Sequence, residues 1–373
     1  MTKVPEPQLG TASASPATGA LLGLLRTALP IIQAPMAGVQ GSAMAIAVSQ
    51  AGGLGSLPCA TLSMDVLHAE LQAITQQTDK PYNVNFFCHS MPAHDAAREA
   101  AWRTVLAPSY AQYGIDAATI APGAGRVPFT HQAADVLTAF KPRVVSFHFG
   151  LPAPDLLARV KSWGAVVLSS ATTVAEAQWL HAHGADVIIA QGLEAGGHRA
   201  LFLPQHLTGD WAFDLSTQQG TMALLPQIVA AVPCPVIAAG GIADAQGVRA
   251  AMALGAAGVQ VGTAYMLCPE ATTSAVHRAA LQSAGAQHTA LTTLFTGRPA
   301  RGIVNRVMRS LGPLSTAAPP FPTATAAIAP LRAAAEKQGL GDFSPLWAGQ
   351  NVSGCKSVPA AQITYELAQG LVG

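Results

Sequence analysis

Short apolar runs, rich in valine and isoleucine, alternate along this chain with longer alanine-rich stretches of helical periodicity. The runs occupy 30–34, 53–57, 82–87, 144–147, 165–169, 187–191, 235–239 and 258–261. The stretches that follow them occupy 42–50, 64–76, 95–112, 155–163, 174–183, 222–231, 244–254 and 272–283. Short runs with so few polar positions suit strands buried on both faces. Their alternation with helices predicts a parallel sheet with its helices outside. Eight such units favour an α/β fold of the TIM type, a (β/α)8 barrel, over an open doubly wound sheet.

Two departures from the rhythm shape the expected organisation. The gap 88–143 is too long for a simple crossover and reads as an insertion after the third strand, with helices over the barrel mouth. Beyond about residue 287 the strand rhythm stops. The segment 289–373 reads as a mainly helical extension covering the site, with helices near 303–310, 324–338 and 360–371. The barrel itself is expected over 21–288, after a flexible tail over 1–20.

Composition fits a large buried core: 50% of residues are hydrophobic and 10% are charged. A net charge of +1, with no block of like charges, leaves no electrostatic footprint for nucleic acid or an anionic membrane. No apolar run reaches the ~18 residues of a membrane span. The first twenty residues lack the basic start and apolar core of a signal peptide. The 5 cysteines show no CxxC spacing and read as free thiols, so the cytoplasm is the expected compartment.

In a barrel the carboxyl ends of the strands carry the site. The run 187–191 leads into Gly192-Leu193-Glu194-Ala195-Gly196-Gly197-His198-Arg199. Its glycines permit close backbone approach to a ligand. Glu194 reads most simply as orienting a loop amide or Arg199. His148 ends the fourth run, so it and His198 are expected at one mouth. A neutral imidazole with its ordinary pKa of ~6.5 suits proton abstraction or hydrogen bonding to an anion. The other histidines, His89, His206 and His277 among them, fall on expected helices or loops and default to surface or capping roles.

Glycine turns follow the last two runs, at Gly240-Gly241 and Gly262-Thr263. Loops in these positions commonly form a phosphate cup from backbone amides and a helix N-terminus, with no Lys or Arg needed. The plain alternative is a pair of tight turns. Met36, following Ala34, offers a soft thioether to an aromatic ring, with Ala37 and Gly38 adding backbone polar groups, or else it is a core methionine. If Phe86 faces the helices, Asn83, Asn85 and Phe87 point inward. A buried asparagine then needs a partner, either a ligand or neighbouring backbone. No ligand spacing suggests a metal, and no GxSxG or cysteine-nucleophile context occurs.

Taken together, QAPMAG (33–38), NVNFF (83–87), SFHFGLP (146–152), QGLEAGGHR (191–199), AAGGIAD (238–244), QVGTAY (260–265), TGRPARGIVNR (296–306) and LWAGQ (346–350) resemble the nitronate monooxygenase family, formerly called 2-nitropropane dioxygenases. The resemblance runs from about 29 to 352. It implies an FMN-dependent barrel oxidising alkyl nitronates, and nitroalkanes where that form is accepted, with O2 to a carbonyl compound and nitrite through a flavin semiquinone. It implies Met36, Ala37 and Gly38 at the flavin ring, Asn85 and Gln191 bonded to FMN, Gly196 beside it, and Ala34 and Gly197 among the cofactor-binding residues. Gly240, Gly241, Gln260, Gly262 and Thr263 fall at the phosphate end. His198 matches the catalytic base, His148 the second histidine near substrate, and Tyr265 a pocket residue.

The sequence departs from the family pattern at Ala200, where glycine is frequent, and over 314–332. That segment carries Phe321, Thr323 and Thr325 where some members present tyrosines and a lysine. The family's flavin enoyl-ACP reductase branch lacks the histidine of SFHFG, which favours the nitronate branch. An FMN-dependent NAD(P)H reductase of quinones or enoyl thioesters is the second reading. A non-catalytic barrel binding a phosphate ligand is the third, opposed by the histidine pair. The expected partners are a small nitronate and O2, not nucleic acid or a membrane, with homo-oligomer formation left open.

Overall fold

The computed structural model describes residues 15–121, 125–203, 207–208 and 212–371. The expectations for 1–14 of the tail and for His206 lie outside these residues. In chain order the strands are β1 (Ile31–Gln33), β2 (Gly55–Pro58), β3 (Tyr82–Phe87), β4 (Val144–His148), β5 (Val166–Ala171), β6 (Val187–Gln191), β7 (Gly197–His198), β8 (Leu207–Thr208), β9 (Ala212–Phe213), β10 (Val236–Ala239), β11 (Gly258–Val261), β12 (Thr289–Thr292) and β13 (Ala300–Ile303). The helices are α1 (Pro16–Leu25), α2 (Ser42–Gln50), α3 (Met64–Gln77), α4 (Ala96–Tyr113), α5 (His131–Phe140), α6 (Pro154–Ser162), α7 (Val174–Ala182), α8 (Thr221–Ala231), α9 (Ala245–Ala253), α10 (Ala275–Gln282), α11 (Arg306–Leu311), α12 (Ala324–Lys337) and α13 (Ala360–Ala368).

Eight strands form one parallel sheet in the order β1-β11-β10-β6-β5-β4-β3-β2. A parallel bridge from Ile32 to Leu54 joins its two ends, so the sheet is a (β/α)8 barrel. Alternation along β3 sorts its side chains as the pleat requires. Tyr82, Val84 and Phe86 pack outward on Leu71, Ala133 and Leu137. Asn83 points inward and donates to the Ser56 hydroxyl at 3.0 Å.

The segment read as a flexible tail over 1–20 runs into ordered structure at its end. Ser15 caps α1 by accepting from the Thr18 amide at 3.2 Å, and Pro16 takes the first turn, where its missing N–H costs nothing. Leu21 and Leu25, one turn apart, are fully buried among Ile32, Leu54, Val166 and Ile237. Arg143, just before β4, donates to the Leu24 carbonyl from Nε at 3.0 Å and from Nη2 at 2.7 Å. The helix therefore closes the amino end of the barrel. Leu25→Ala should cost about 2–5 kcal/mol and lower the thermal unfolding midpoint. An unchanged midpoint would show that the barrel does not depend on this plug.

The outer ring also differs from the expected pairing. The helix after the last barrel strand, α10, turns away from the ring; its Leu281 packs with Leu267, Ile303 and Leu346. The eighth helical position is filled by α13, whose Ala360, Ile363 and Leu367 pack against Met44, Val48 and Val248. The last helix of the chain thus belongs to the barrel and not to a cover. The strand rhythm also resumes after residue 287. β12 pairs with β13, and β13 pairs with β7, placing Ala300 opposite His198. Strands of two to four residues carry too little alternation to be read from sequence, and here pairing decides them. The helix expected over 303–310 starts only at Arg306, because Ile303 is spent on β13 and Asn305 caps the helix. α4 of the insertion packs against α12, with Trp102, Leu106 and Tyr110 sharing a core with Ile328, Leu331 and Phe343. Among the described residues, no helix is long and apolar enough to cross a membrane.

Candidate active site

One cavity opens at the carboxyl ends of the barrel strands. Ala34, Met36 and Ala37 line it after β1, Asn85 and Phe87 on β3, and Ser146 and His148 on β4. Gln191, Gly196, Gly197 and His198 follow from β6, Gly240 and Gly241 from β10, and Gln260, Gly262 and Thr263 from β11. In the sheet order β10 and β11 stand across the ring from β3 and β4. Glycine turns therefore face the histidine wall across one space.

Two residues expected here lie elsewhere. Tyr265 is fully buried in the barrel's outer core, and its hydroxyl bonds Thr364 of α13 at 2.9 Å. It fails as a pocket residue because the single 3-10 turn after Gly262 swings its ring away from the mouth. Gly38 is absent from the cavity wall; its φ of +83° serves the turn between Met36 and Val39.

The histidines are held by a shared acceptor. The His198 carbonyl accepts from His148 Nε2 at 3.1 Å and from Gln191 Nε2 at 2.9 Å. Gln191 Oε1 in turn accepts from the Ala200 amide at 2.9 Å. A carbonyl partner assigns the His148 proton to Nε2 and leaves Nδ1 with a lone pair. The His198 ring bonds Thr296 Oγ1 through Nε2 at 2.9 Å, and that hydroxyl points to the Arg298 carbonyl at 3.4 Å. With the hydroxyl donating to Arg298, His198 Nε2 is the donor to Thr296 and Nδ1 is the basic nitrogen.

The same wall is aromatic. The His198 ring lies 5.3 Å from Phe321, 5.5 Å from Trp347 and 6.1 Å from Phe87, centroid to centroid. Burial holds His198 well below the ordinary imidazole range, and the cationic groups of Arg126 and Arg298 add to the effect. Burial also lowers His148 to about 3, although its bond to the His198 carbonyl pulls the other way. Both rings are neutral at pH 7 and can donate and accept hydrogen bonds.

The charged residues of the β6 loop turn out to be scaffold. Arg199 is fully buried and donates to the Gln191 carbonyl at 2.7 Å, the Gly192 carbonyl at 2.6 Å and Gln218 Oε1 at 2.9 Å. Glu194 accepts from the Thr221 amide at 2.9 Å and hydroxyl at 2.9 Å, neutralising the positive end of α8. It therefore orients an amide and not Arg199. A Cβ on Gly196 would stand 2.6 Å from the Gly349 nitrogen, so close packing of two loops already requires glycine there. The expected phosphate cup is also modified: the first turn of α9 is capped by Asp244, which accepts from the Gly247 amide at 2.9 Å. Any anion near the Gly240-Gly241 turn meets loop amides instead of an open helix end.

His89 and His277 depart from their expected surface roles. Both are buried; His89 donates from Nε2 to the Arg126 carbonyl at 3.0 Å, and His277 to the Trp347 carbonyl at 3.0 Å. They hold two cavity residues that sequence reasoning did not single out. Trp347 stands in the LWAGQ motif, but Arg126 lies in the insertion with no motif around it. Among the described residues, no group of three or more His, Cys, Asp or Glu side chains could hold a metal ion.

Comparison with known proteins agrees with this geometry. The nitronate monooxygenase family model matches residues 19–370. A nitronate monooxygenase from Pseudomonas aeruginosa is 41% identical, covering 95% of this chain and 98% of that protein. One from Paraburkholderia phytofirmans is 42% identical, covering 94% of each. The structure of nitroalkane oxidase from Streptomyces ansochromogenes is similar with a TM-score of 0.83 at 37% identity, over 94% of this chain and 98% of that one. FabK from Thermotoga maritima is more distant, with a TM-score of 0.65 at 25% identity over 94% of each chain. With a family match spanning the barrel from α1 to α13 and relatives alike over their whole length, this chain is a member of the nitronate monooxygenase family of oxidoreductases.

Proposed function

We propose that this protein is an FMN-dependent nitronate monooxygenase that converts alkyl nitronates and O2 to carbonyl compounds and nitrite. The observation that carries the reading is a neutral, rigidly held His198 in the same cavity as the glycine turns after β10 and β11. The residues present fit a flavin. Gln260 Oε1 is buried without a hydrogen-bond partner and lines the cavity, so it calls for a ligand donor. Met36, Ile189, Ala239 and Val261 supply apolar wall for a flat ring, and the turns at Gly240, Gly241 and Gly262 leave backbone open to a polar tail. Bound there, the flavin would supply the electron-accepting chemistry.

The chain's own residues would do the rest. His148 and Gln191 fix the backbone that carries His198. His198 Nδ1, the basic nitrogen, would take the α-proton of a neutral nitroalkane, whereas a preformed nitronate needs no base. Phe87, Phe321 and Trp347 crowd the histidine ring and reduce the water around it.

The purified protein should be yellow, release FMN on denaturation and consume O2 with an alkyl nitronate, while NADH and NADPH bleach it slowly or not at all under anaerobic conditions. Fast anaerobic bleaching without nitronate-dependent O2 uptake would assign the protein to the NAD(P)H reductases instead.

A further inference from the structure

We propose that Arg126 is the docking group for the two oxygens of the anionic substrate, and that it makes this site select the nitronate over the neutral nitroalkane. Arg126 lines the cavity beside His148, His198 and Phe87. Its Nε is buried with no hydrogen-bond partner among the described residues. A guanidinium nitrogen withdrawn from water with no partner among the described residues is costly, and an incoming anion removes much of that cost. The group is also close to the reacting region: its carbon stands 5.9 Å from the centre of the Phe321 ring, itself 5.3 Å from His198. Of the charges acting on His198, that of Arg126 is the strongest.

The contrast with Arg298 sharpens the assignment. Arg298 is partly engaged by the protein: its Nη2 donates to the Leu201 carbonyl and its guanidinium carbon stands 3.9 Å from the centre of the Phe149 ring, although its Nε, like that of Arg126, is buried without a hydrogen-bond partner among the described residues. It is absent from the cavity wall. Arg126 has instead a backbone pinned by His89, Phe321 as an aromatic neighbour and, on the cavity wall, a guanidinium fork whose Nε has no partner among the described residues. A planar O–N–O group matches that fork as a carboxylate does. Around it the recess is aromatic and imidazole, and Glu194, the acidic residue of the cavity wall among the described residues, is engaged by Thr221 at the start of α8. That recess suits a single negative charge on an apolar tail.

The substrate's identity rests on the nitronate reading; its charge and shape do not. The test is therefore made with nitrate, a planar monoanion with the same O–N–O face, titrated calorimetrically into the purified flavin-loaded protein. Nitrate should bind saturably to the wild type and at least tenfold more weakly to Arg126→Met and Arg126→Gln, with Arg126→Lys in between. With an alkyl nitronate the neutral variants should raise KM about tenfold and change kcat much less, the mark of lost ground-state docking. The two neutral variants guard against misfolding, which thermal melts would reveal. Nitrate binding that is absent from the wild type, or unchanged in either folded variant, overturns the proposal. If the variants lose nitrate but the wild type never oxidises a nitronate, the docking role stands and the nitronate reading falls. If nitronate turnover is robust and nitrate affinity ignores Arg126, the reverse holds.

Discussion

His198→Asn should slow turnover of a neutral nitroalkane by about 10²–10⁴-fold while leaving a preformed nitronate within about tenfold of wild type. Asparagine keeps a polar group of similar reach but cannot accept a proton at neutral pH. The nitroalkane must lose its α-proton before it can give up electrons; the nitronate has lost it already. His198 is a weak base because burial and the nearby guanidinium groups disfavour its cation. The same positive field stabilises the anion that proton loss creates, which offsets the weak base. Steady-state O2 uptake on matched pairs of nitroalkane and nitronate, with the nitronate preformed at high pH, measures the ratio. Equal loss on both substrates would sink the base role and leave His198 a binding group. Thr296→Val should act in the same direction but more weakly, since it removes the 2.9 Å bond that leaves Nδ1 the basic nitrogen.

Acid should destabilise this protein well above the pH at which its carboxylates protonate. In the unfolded chain an imidazole takes up its proton near pH 6.5. In the folded protein burial holds His148 to about 3 and His89 and His277 to about 4. Between those limits the unfolded chain binds more protons, so lowering pH favours unfolding. The contribution is intact above about pH 6.5 and is lost progressively below it, at up to about 1.4 kcal/mol per pH unit for each of these rings. Thermal melts from pH 8 to pH 5 should show a falling midpoint in low-salt buffer. His277→Gln, which keeps a donor for the Trp347 carbonyl, should flatten the dependence by one ring's share. A midpoint constant from pH 7 to pH 5, or a slope unchanged in His277→Gln, would contradict this account.

Much of the barrel was legible because its signal is local. The runs at 82–87, 187–191 and 258–261 match β3, β6 and β11 end to end, since their outward positions must be apolar to pack under the helices, whatever surrounds them. Asp95 marked the start of α4 for an equally local reason: its side chain caps the Arg98 amide at 2.9 Å. The placement of His148 and His198 in one cavity followed from both ending barrel strands or their loops. Other features had no local mark. The one-turn excursion that buries Tyr265 against Thr364 depends on a helix almost a hundred residues away in sequence. His89 and His277 look like surface histidines in sequence, and only packing against Phe321 and the Trp347 carbonyl makes them interior.

By itself the sequence determined the strand–helix alternation, the closed parallel sheet and the delivery of glycine turns and two histidines to one end of it. Each follows from hydrophobic period and chain direction. Tertiary structure alone decided which helix fills the eighth place, the pairing of Ala300 with His198, and the arrival of Arg126 beside the cavity. Those outcomes depend on where distant segments pack, and whether a buried donor finds a partner is decided only once the fold has fixed what surrounds it.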